Sequence, residues 1–436
     1  MINQNYKEDD VLKNIKTRSL KELFEDQLTS LPFSNSYYQT ADEVFLKDDT
    51  AVAFINHILY GDAEVYLPKN FSPVSKGRAR HSVISFLFGL SIGEFHGLLG
   101  QCSEIYDCTA PAYLLIHEEY INYKIWMMTA VNHDYGYYSS YLKKDMPFAD
   151  LLKRVKYNVL DAGINIDGLS KVRFDKARVL KNNYEQIGAY YEYARQYHKN
   201  NGHADELVDH GILGGMLMYN RAVKYIIESH CNNTARDHST SYCNMQPYLD
   251  DIIHYKASCL TICQHNIFKS EDSRSDEQYG EQLNHLWHKG GYFIGKRHPL
   301  LLFLSLIDTI EHTKRFSTKN TWLQINTLLE KVKLSVDKSL LIIDYSELYV
   351  HLDKNLKEKH IKVLNAHING ICNLETWTRF KANKISDYVV VIKYNENPVQ
   401  QIPAHMNRND KNSQLCHIEL QCGLDINPVS FKWRGV

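Results

Sequence analysis

From about residue 8 to residue 330, apolar side chains recur at three- and four-residue spacing, the period of helices that bury one face. This pattern makes the chain mainly α. "SVISFLFGLSIGEFHGLL" (82–99) reads as a buried helix, with Gly89 and Gly93 as small residues where another helix packs closely. "AYLLIHEEYINYKIWMMTAVNHDYGYYSSYL" (112–142) reads as a helix leading to adjacent His133 and Asp134 and a turn near Gly136. "NNYEQIGAYYEYARQYHKN" (182–200) is a tyrosine-striped amphipathic helix whose stripe reads as core rather than as a platform for bases. "GILGGMLMYNRAVKYIIESH" (211–230) and "YLDDIIHYKASCLTICQHNIF" (248–268) are two more. "HPLLLFLSLIDTIEHTKRF" (298–316) has Pro299 at a first-turn position and then a nearly all-apolar face, as in a central helix. Residues 231–246 and 269–292 are polar and read as loops, the second placed to cover a site.

After about residue 320 the texture changes. "VKLSVDKSLLIIDYS" and "DYVVVIKYN" are β-branched and alternating, with a helical stretch at 352–371 between them and a short strand expected at "CHIELQC" (416–422). The organisation expected is therefore a helical domain over residues 1–320 and a small α+β appendage over 321–436. The appendage is a candidate for dimerisation or partner docking.

The 436 residues carry 50 basic and 51 acidic side chains, a formal charge of −1, so nothing global points to nucleic acid or an anionic membrane. A local basic groove is left open by that count. The polar, acidic start "MINQNYKEDDVLKNIK" is unlike a signal peptide, and "PLLLFLSLI" (299–307) is far too short to span a bilayer. A cytoplasmic location is expected. The nine cysteines lack Cys-x-x-Cys pairs, so reduced and mostly buried thiols are expected.

An adjacent His-Asp pair in apolar surroundings has two readings: consecutive metal ligands, or a helix-end histidine followed by an N-cap aspartate. The rest of the chain weighs on this. His81 follows "GRAR" at the start of a buried helix, His210 stands before another in "VDHGILGG", and His265 lies late in a fourth in "ICQHNIF". Asp308, in "LSLIDTIEH", is a lone carboxylate in an apolar helix. Burying an unpaired carboxylate costs several kcal/mol. A metal ion or a cation explains Asp308; the plainer competitor is a salt bridge to Lys314 or Arg315.

His81, His133-Asp134 and Asp308, in that order on helices, resemble the HD-domain superfamily of metal-dependent phosphohydrolases. "RARHSVISFLFGL" resembles the family's Arg-x-x-His-Ser helix start, "DHGILGGML" its His-Gly segment, and "PLLLFLSLIDTIE" the helix with the last aspartate. The resemblance covers residues 75–316. It implies that His81, His133, Asp134 and Asp308 bind a divalent ion (Mn, Fe, Co, Ni, Zn or Mg), ligand type alone not choosing among them. Such an ion lowers the pKa of bound water and polarises a phosphoryl oxygen. In binuclear members two further histidines bind a second ion and the HD aspartate bridges both; His210 and His265 match those places. The resemblance gives catalytic roles to Asp134 and His210. His254, about 16 Å along the same helix from His265, is too far to share its ion. Among the basic residues near these segments, Arg78, Lys314 and Arg315 are candidates for the substrate phosphate, and Arg78 matches the family's helix start.

Two departures narrow the subfamily. "QHN" stands where the binuclear subgroup often has two adjacent histidines. "HDYGYYSSYL" lacks the Gly-His and Pro-Phe of deoxynucleotide triphosphohydrolases, and Tyr137 replaces the lysine that signalling phosphodiesterases and CRISPR-type nucleases favour. The leading expectation is hydrolysis of a phosphate ester or anhydride of a small, nucleotide-like substrate. The alternatives are an HD-type nuclease or cyclic-nucleotide phosphodiesterase, and a non-catalytic ligand-binding regulatory module on the same fold.

Overall fold

A computed structural model of the chain describes residues 17–30, 40, 43–44, 51, 53–54, 73–92, 118–138, 146–155, 172–173, 182–200, 208–226, 243–244, 249–266, 287–288, 292–293, 299–311, 321–337, 340–353, 389–394, 417–422 and 429–431. In chain order these form β1 (Arg18–Ser19), α1 (Leu20–Ser30), α2 (Pro73–Ser91), α3 (Glu118–Asn132), a 3-10 turn (Tyr135–Tyr138), α4 (Phe148–Val155), β2 (Val172–Arg173), α5 (Asn182–Asn200), α6 (His210–Ile226), β3 (Cys243–Asn244), α7 (Leu249–Gln264), β4 (Trp287–His288), β5 (Tyr292–Phe293), α8 (Pro299–Ile310), α9 (Thr321–Lys331), β6 (Lys333–Asp337), β7 (Leu340–Asp344), α10 (Ser346–His351), β8 (Val389–Tyr394), β9 (His417–Cys422) and β10 (Val429–Phe431). The protein is mainly helical. It separates into two compact units, one of Met1–Lys47, Leu87–Leu98 and Thr309–Val436, the other of Asp48–Phe86 and Leu99–Asp308.

The first unit holds a six-stranded sheet in the order β1-β6-β7-β8-β9-β10. β6 and β7 pair antiparallel, β7–β8 and β8–β9 parallel, and β9–β10 antiparallel. In β7 the consecutive Leu341, Ile342 and Ile343 are all buried, so both of its faces are covered, as parallel pairing generally requires. At the N-terminal end, Ser19 and Glu22 cap α1 reciprocally: Glu22 N–H donates to Ser19 Oγ at 3.1 Å and Ser19 N–H to Glu22 Oε2 at 2.8 Å. α1 then packs on α9, burying Phe24 and Leu28 in the same unit as Leu328 and Leu329. The division expected at residue 320 put residues 17–30 with the helical part; here they belong with the sheet. β1 has two residues, too few for a period-two pattern to show in the sequence.

The second unit carries the candidate ligands. Buried Trp126 of α3 donates its indole N–H to the Phe86 carbonyl of α2 at 3.1 Å and packs against Phe303 of α8, ring centroids 4.5 Å apart. One side chain thus ties together the three helices that bear His81, His133 and Asp308. α6 packs along α7 and α7 along α3. In α4, Phe148, Leu151, Leu152 and Val155 are buried at i, i+3, i+4 and i+7, the spacing of an amphipathic helix. The tyrosine stripe of α5 is core, with Tyr190, Tyr191 and Tyr193 buried.

The helix ends differ from expectation. α2 begins at Pro73, nine residues before the expected start, because proline is tolerated in a first turn. The loop readings at 231–246 and 269–292 contain β3 and β4, and β5 begins at the last residue of the second; each strand has two residues. β2 and β3 pair parallel, β4 and β5 antiparallel. The helix expected at 352–371 lies outside the described residues except for its first two. No helix among the described residues is long and apolar enough to cross a membrane. Cys259 and Cys263 are free thiols, both buried.

Candidate metal centre

α3 ends at Asn132 and α7 at Gln264, and in each case the next residue is a histidine. The two ends are built alike. His133 Nδ1 lies 2.7 Å from the Ala130 carbonyl and His265 Nδ1 lies 2.8 Å from that of Ile262, each three residues back. These carbonyls belong to last turns, where backbone acceptors lack helical partners. In a neutral imidazole, donating from Nδ1 leaves Nε2 with a lone pair. Both Nε2 atoms therefore face the centre as electron donors.

Around them the sequence candidates converge. His81 Nε2, from α2, lies 3.1 Å from His133 Nε2 and 3.1 Å from Asp308 Oδ1 of α8. Asp308 Oδ1 is 3.5 Å from His133 Nε2. A second group stands beside the first: His210 Nε2, at the first residue of α6, is 3.2 Å from His265 Nε2 and 3.4 Å from Asp134 Oδ1. Asp134 reaches both groups, its Oδ2 lying 3.7 Å from His81 Nε2 and its Oδ1 3.7 Å from His133 Nε2. The donor atoms of His81, His133 and Asp308 lie within 4.8 Å of one another, as do those of Asp134, His210 and His265. His81 is 1% exposed, His133 0% and Asp134 1%.

This donor set fits divalent cations. Imidazole nitrogens and carboxylate oxygens from both groups lie 3.1–3.7 Å apart around the buried His81, His133 and Asp134. Nitrogen and oxygen donors in these numbers suit Mn, Fe, Co, Ni, Zn or Mg.

The N-cap reading of Asp134 belongs to another residue. Asp209 Oδ1 accepts from Gly211 N–H at 2.9 Å and from Ile212 N–H at 3.2 Å, capping α6 at His210. The Asp134 carboxylate instead takes Arg78 Nη1–H at 2.9 Å and faces the imidazoles. Burial alone would push the Asp134 carboxyl up. His133, the hydrogen bond from His210, and the neighbouring His81 and His210 rings outweigh it and hold the group well below the usual carboxylate range. Burial would likewise lower Arg78, but Asp134, with Tyr137 and Asp308, raises it. His265 is lowered to about 4, first by burial and then by His210 and His133. Tyr137 is raised to about 12 by burial and by Asp134.

Close backbone approach sets these positions. A Cβ on Gly136 would fall 1.9 Å from the His210 carbonyl oxygen and 2.8 Å from Gly214 N, so the turn after the His-Asp pair lies directly on the start of α6. A Cβ on Gly211 would meet the Ile262 carbonyl oxygen at 2.7 Å and His265 Nδ1 at 2.8 Å, which brings α6 onto the end of α7.

Several supporting residues were not identified from sequence. Asn266, the last letter of "QHN", donates Nδ2–H to Asp209 Oδ2 at 2.9 Å and lies 3.3 Å from His210 Nδ1. Tyr190 donates its hydroxyl to the carbonyls of Gln264 and Asn266, on either side of His265. Ser305 donates to the His265 carbonyl at 3.4 Å. Tyr137 stacks on His210 at 3.9 Å, and Arg78 Cζ lies 4.0 Å from the centre of the same ring. No sequence signal marks these contacts, since each joins elements far apart in the chain. Lys314 and Arg315 lie outside the described residues; Asp308 has His81 and His133 as partners. The side chain of His254 is also outside them.

No protein-family model, curated protein or solved structure matches the chain.

Proposed function

We propose that the protein is a metal-dependent phosphohydrolase of the HD type, acting on a phosphate ester or anhydride of a small, nucleotide-like substrate. One observation carries the reading: two three-donor groups, His81/His133/Asp308 and Asp134/His210/His265, with the Asp134 carboxylate reaching into both and a guanidinium against it. Bound there, divalent ions would supply Lewis acidity toward a phosphoryl oxygen, lower the pKa of water and offset the two carboxylates.

The chain's own residues do the rest. Ala130 and Ile262 fix the imidazole tautomers of His133 and His265 through their carbonyls, as partners behind metal-binding histidines commonly do. Arg78 holds Asp134 with one N–H, and its side chain remains 31% exposed. A guanidinium has five donors in a planar fork, which suits phosphate oxygens. Asn266, held by Asp209, lies against the His210 ring, and Asp209 caps the helix that His210 begins.

The test begins with metal analysis of the purified full chain. It continues with a panel of nucleoside phosphates, cyclic nucleotides and single-stranded nucleic acid, with Mn added. Mn-dependent hydrolysis of a nucleotide phosphate is expected. Metal bound without turnover of any member would identify a binding module, and cleavage of polymer alone a nuclease. Absence of bound metal would remove the basis of the proposal.

A further inference from the structure

Tyr137 has two partners that ion binding does not explain. Gly136 brings the turn Tyr135–Tyr138 onto the start of α6, and the Tyr137 ring comes to rest 3.9 Å from the His210 ring at 21°. The Arg78 guanidinium carbon is 4.0 Å from the centre of that ring. Two planar groups centred about 4 Å from one ring would collide if they shared a face, since stacked contact already requires most of that distance. The ring therefore lies between them. Arg78 is bonded at one end to Asp134, which His210 also meets, so Arg78, Tyr137, His210 and Asp134 close a circuit. Each face of the ring then carries one group, while 37% of the residue stays exposed.

Resting on the phosphohydrolase reading, we propose that Tyr137 is a positioning residue that locks the phosphate-binding Arg78 to the His210 side of the centre. It fixes the guanidinium by cation–π contact on one face and the imidazole by stacking on the other. The ring is consequently not a platform for a nucleobase. Substrate is taken at this point through its phosphate, by Arg78 donors that Tyr137 holds in register with the second donor group.

The test uses the full chain stripped of metal and compares wild type with Tyr137→Phe, Tyr137→Leu and Tyr137→Ala. Leucine fills the space without a π face, so it separates loss of the ring from loss of folding. Mn is titrated calorimetrically into each protein, and inorganic phosphate into the Mn-loaded form. Leucine and alanine should weaken the second Mn by about tenfold and leave the first unchanged. They should weaken phosphate about threefold or more. Phenylalanine should recover both affinities. Equal weakening of both ions, no weakening, or a phenylalanine variant no better than leucine would overturn the proposal. A wild type that hydrolyses a phosphate ester with a single ion bound overturns this inference alone. Two bound ions that respond to Tyr137 as described, without hydrolysis of any phosphate, overturn the enzymatic reading alone. A protein that binds no Mn overturns both.

Discussion

His81 and His133 point their Nε2 atoms at each other across 3.1 Å. His133 Nδ1 lies 2.7 Å from the Ala130 carbonyl, which can only accept a hydrogen bond. His81 Nε2 also lies 3.1 Å from Asp308 Oδ1, so one ring nitrogen meets both a second imidazole and a carboxylate. Beside them the His265 Nε2 lone pair faces His210 at 3.2 Å. A cation among these atoms would satisfy all of the acceptors at once.

Asp134→Ala should therefore empty the centre without unfolding the protein. The carboxylate serves both donor groups, so metal content should fall at both and activity by more than about 100-fold. Arg78, being part exposed, can turn to water, which limits the structural cost. Metal analysis, a melting curve and nucleotide turnover check this. Retained metal with a lowered melting temperature would assign Asp134 a structural role only.

Asp209→Ala should act on one side. Losing the α6 cap costs about 1 kcal/mol of stability. It also frees Asn266 from its acceptor and loosens His210, so the second Mn should bind about tenfold more weakly while the first is unchanged. Urea unfolding and Mn titration separate the two effects. An equal loss at both ions would contradict the placement of His210 and Asp209 on one side of the centre.

Gly136→Ala tests the backbone approach between the turn and α6. The new Cβ would meet backbone atoms of His210 and Gly214, which cannot rotate away. A loss of about 3 kcal/mol is expected, at the upper end of overpacking costs. Denaturant unfolding measures it, and a variant as stable as wild type would show that the two segments do not touch.

Acid should weaken the metal-free fold in a defined window. A free histidine titrates near 6.5, whereas His265 in the fold is lowered to about 4. The unfolded chain therefore binds the extra proton first. Stability is whole above about pH 6.5 and falls as pH drops toward 4, by on the order of 3 kcal/mol. Asp134, held low in the fold, adds a second loss at still lower pH as it protonates. Urea unfolding of chelator-treated protein at several pH values, repeated with His265→Gln, checks this. The variant should show a flatter profile between pH 6.5 and 4, and an unchanged profile would exclude His265 as the cause.

The helical class was legible because periodicity extends over whole elements, as in α5 and α8, and the ordered histidines and aspartates were legible because each sits at a helix end or on an apolar face. The residues that hold them were not. Asn266 touches His210 across 56 positions, and Tyr190 reaches Asn266 across 76. Such contacts depend on how helices cross, which local pattern does not carry. Asp209 was within reach, since an aspartate just before "HGILGG" is an ordinary N-cap signal. β1 was hidden for a different reason: a strand of two residues is specified by its partner β6 rather than by its own sequence.

The twin helix ends, each closing on a histidine bonded to its own last turn, carry an electrical consequence. The C-terminal end of a helix bears roughly half a negative charge. α3 and α7 present two such poles to the same small volume, where two carboxylates already stand. Without cations these like poles repel, and the packing of α7 along α3 opposes that repulsion. Cation binding would turn the repulsion into attraction. Metal would then act on this protein as a clasp between helices, felt in its melting temperature before any substrate arrives.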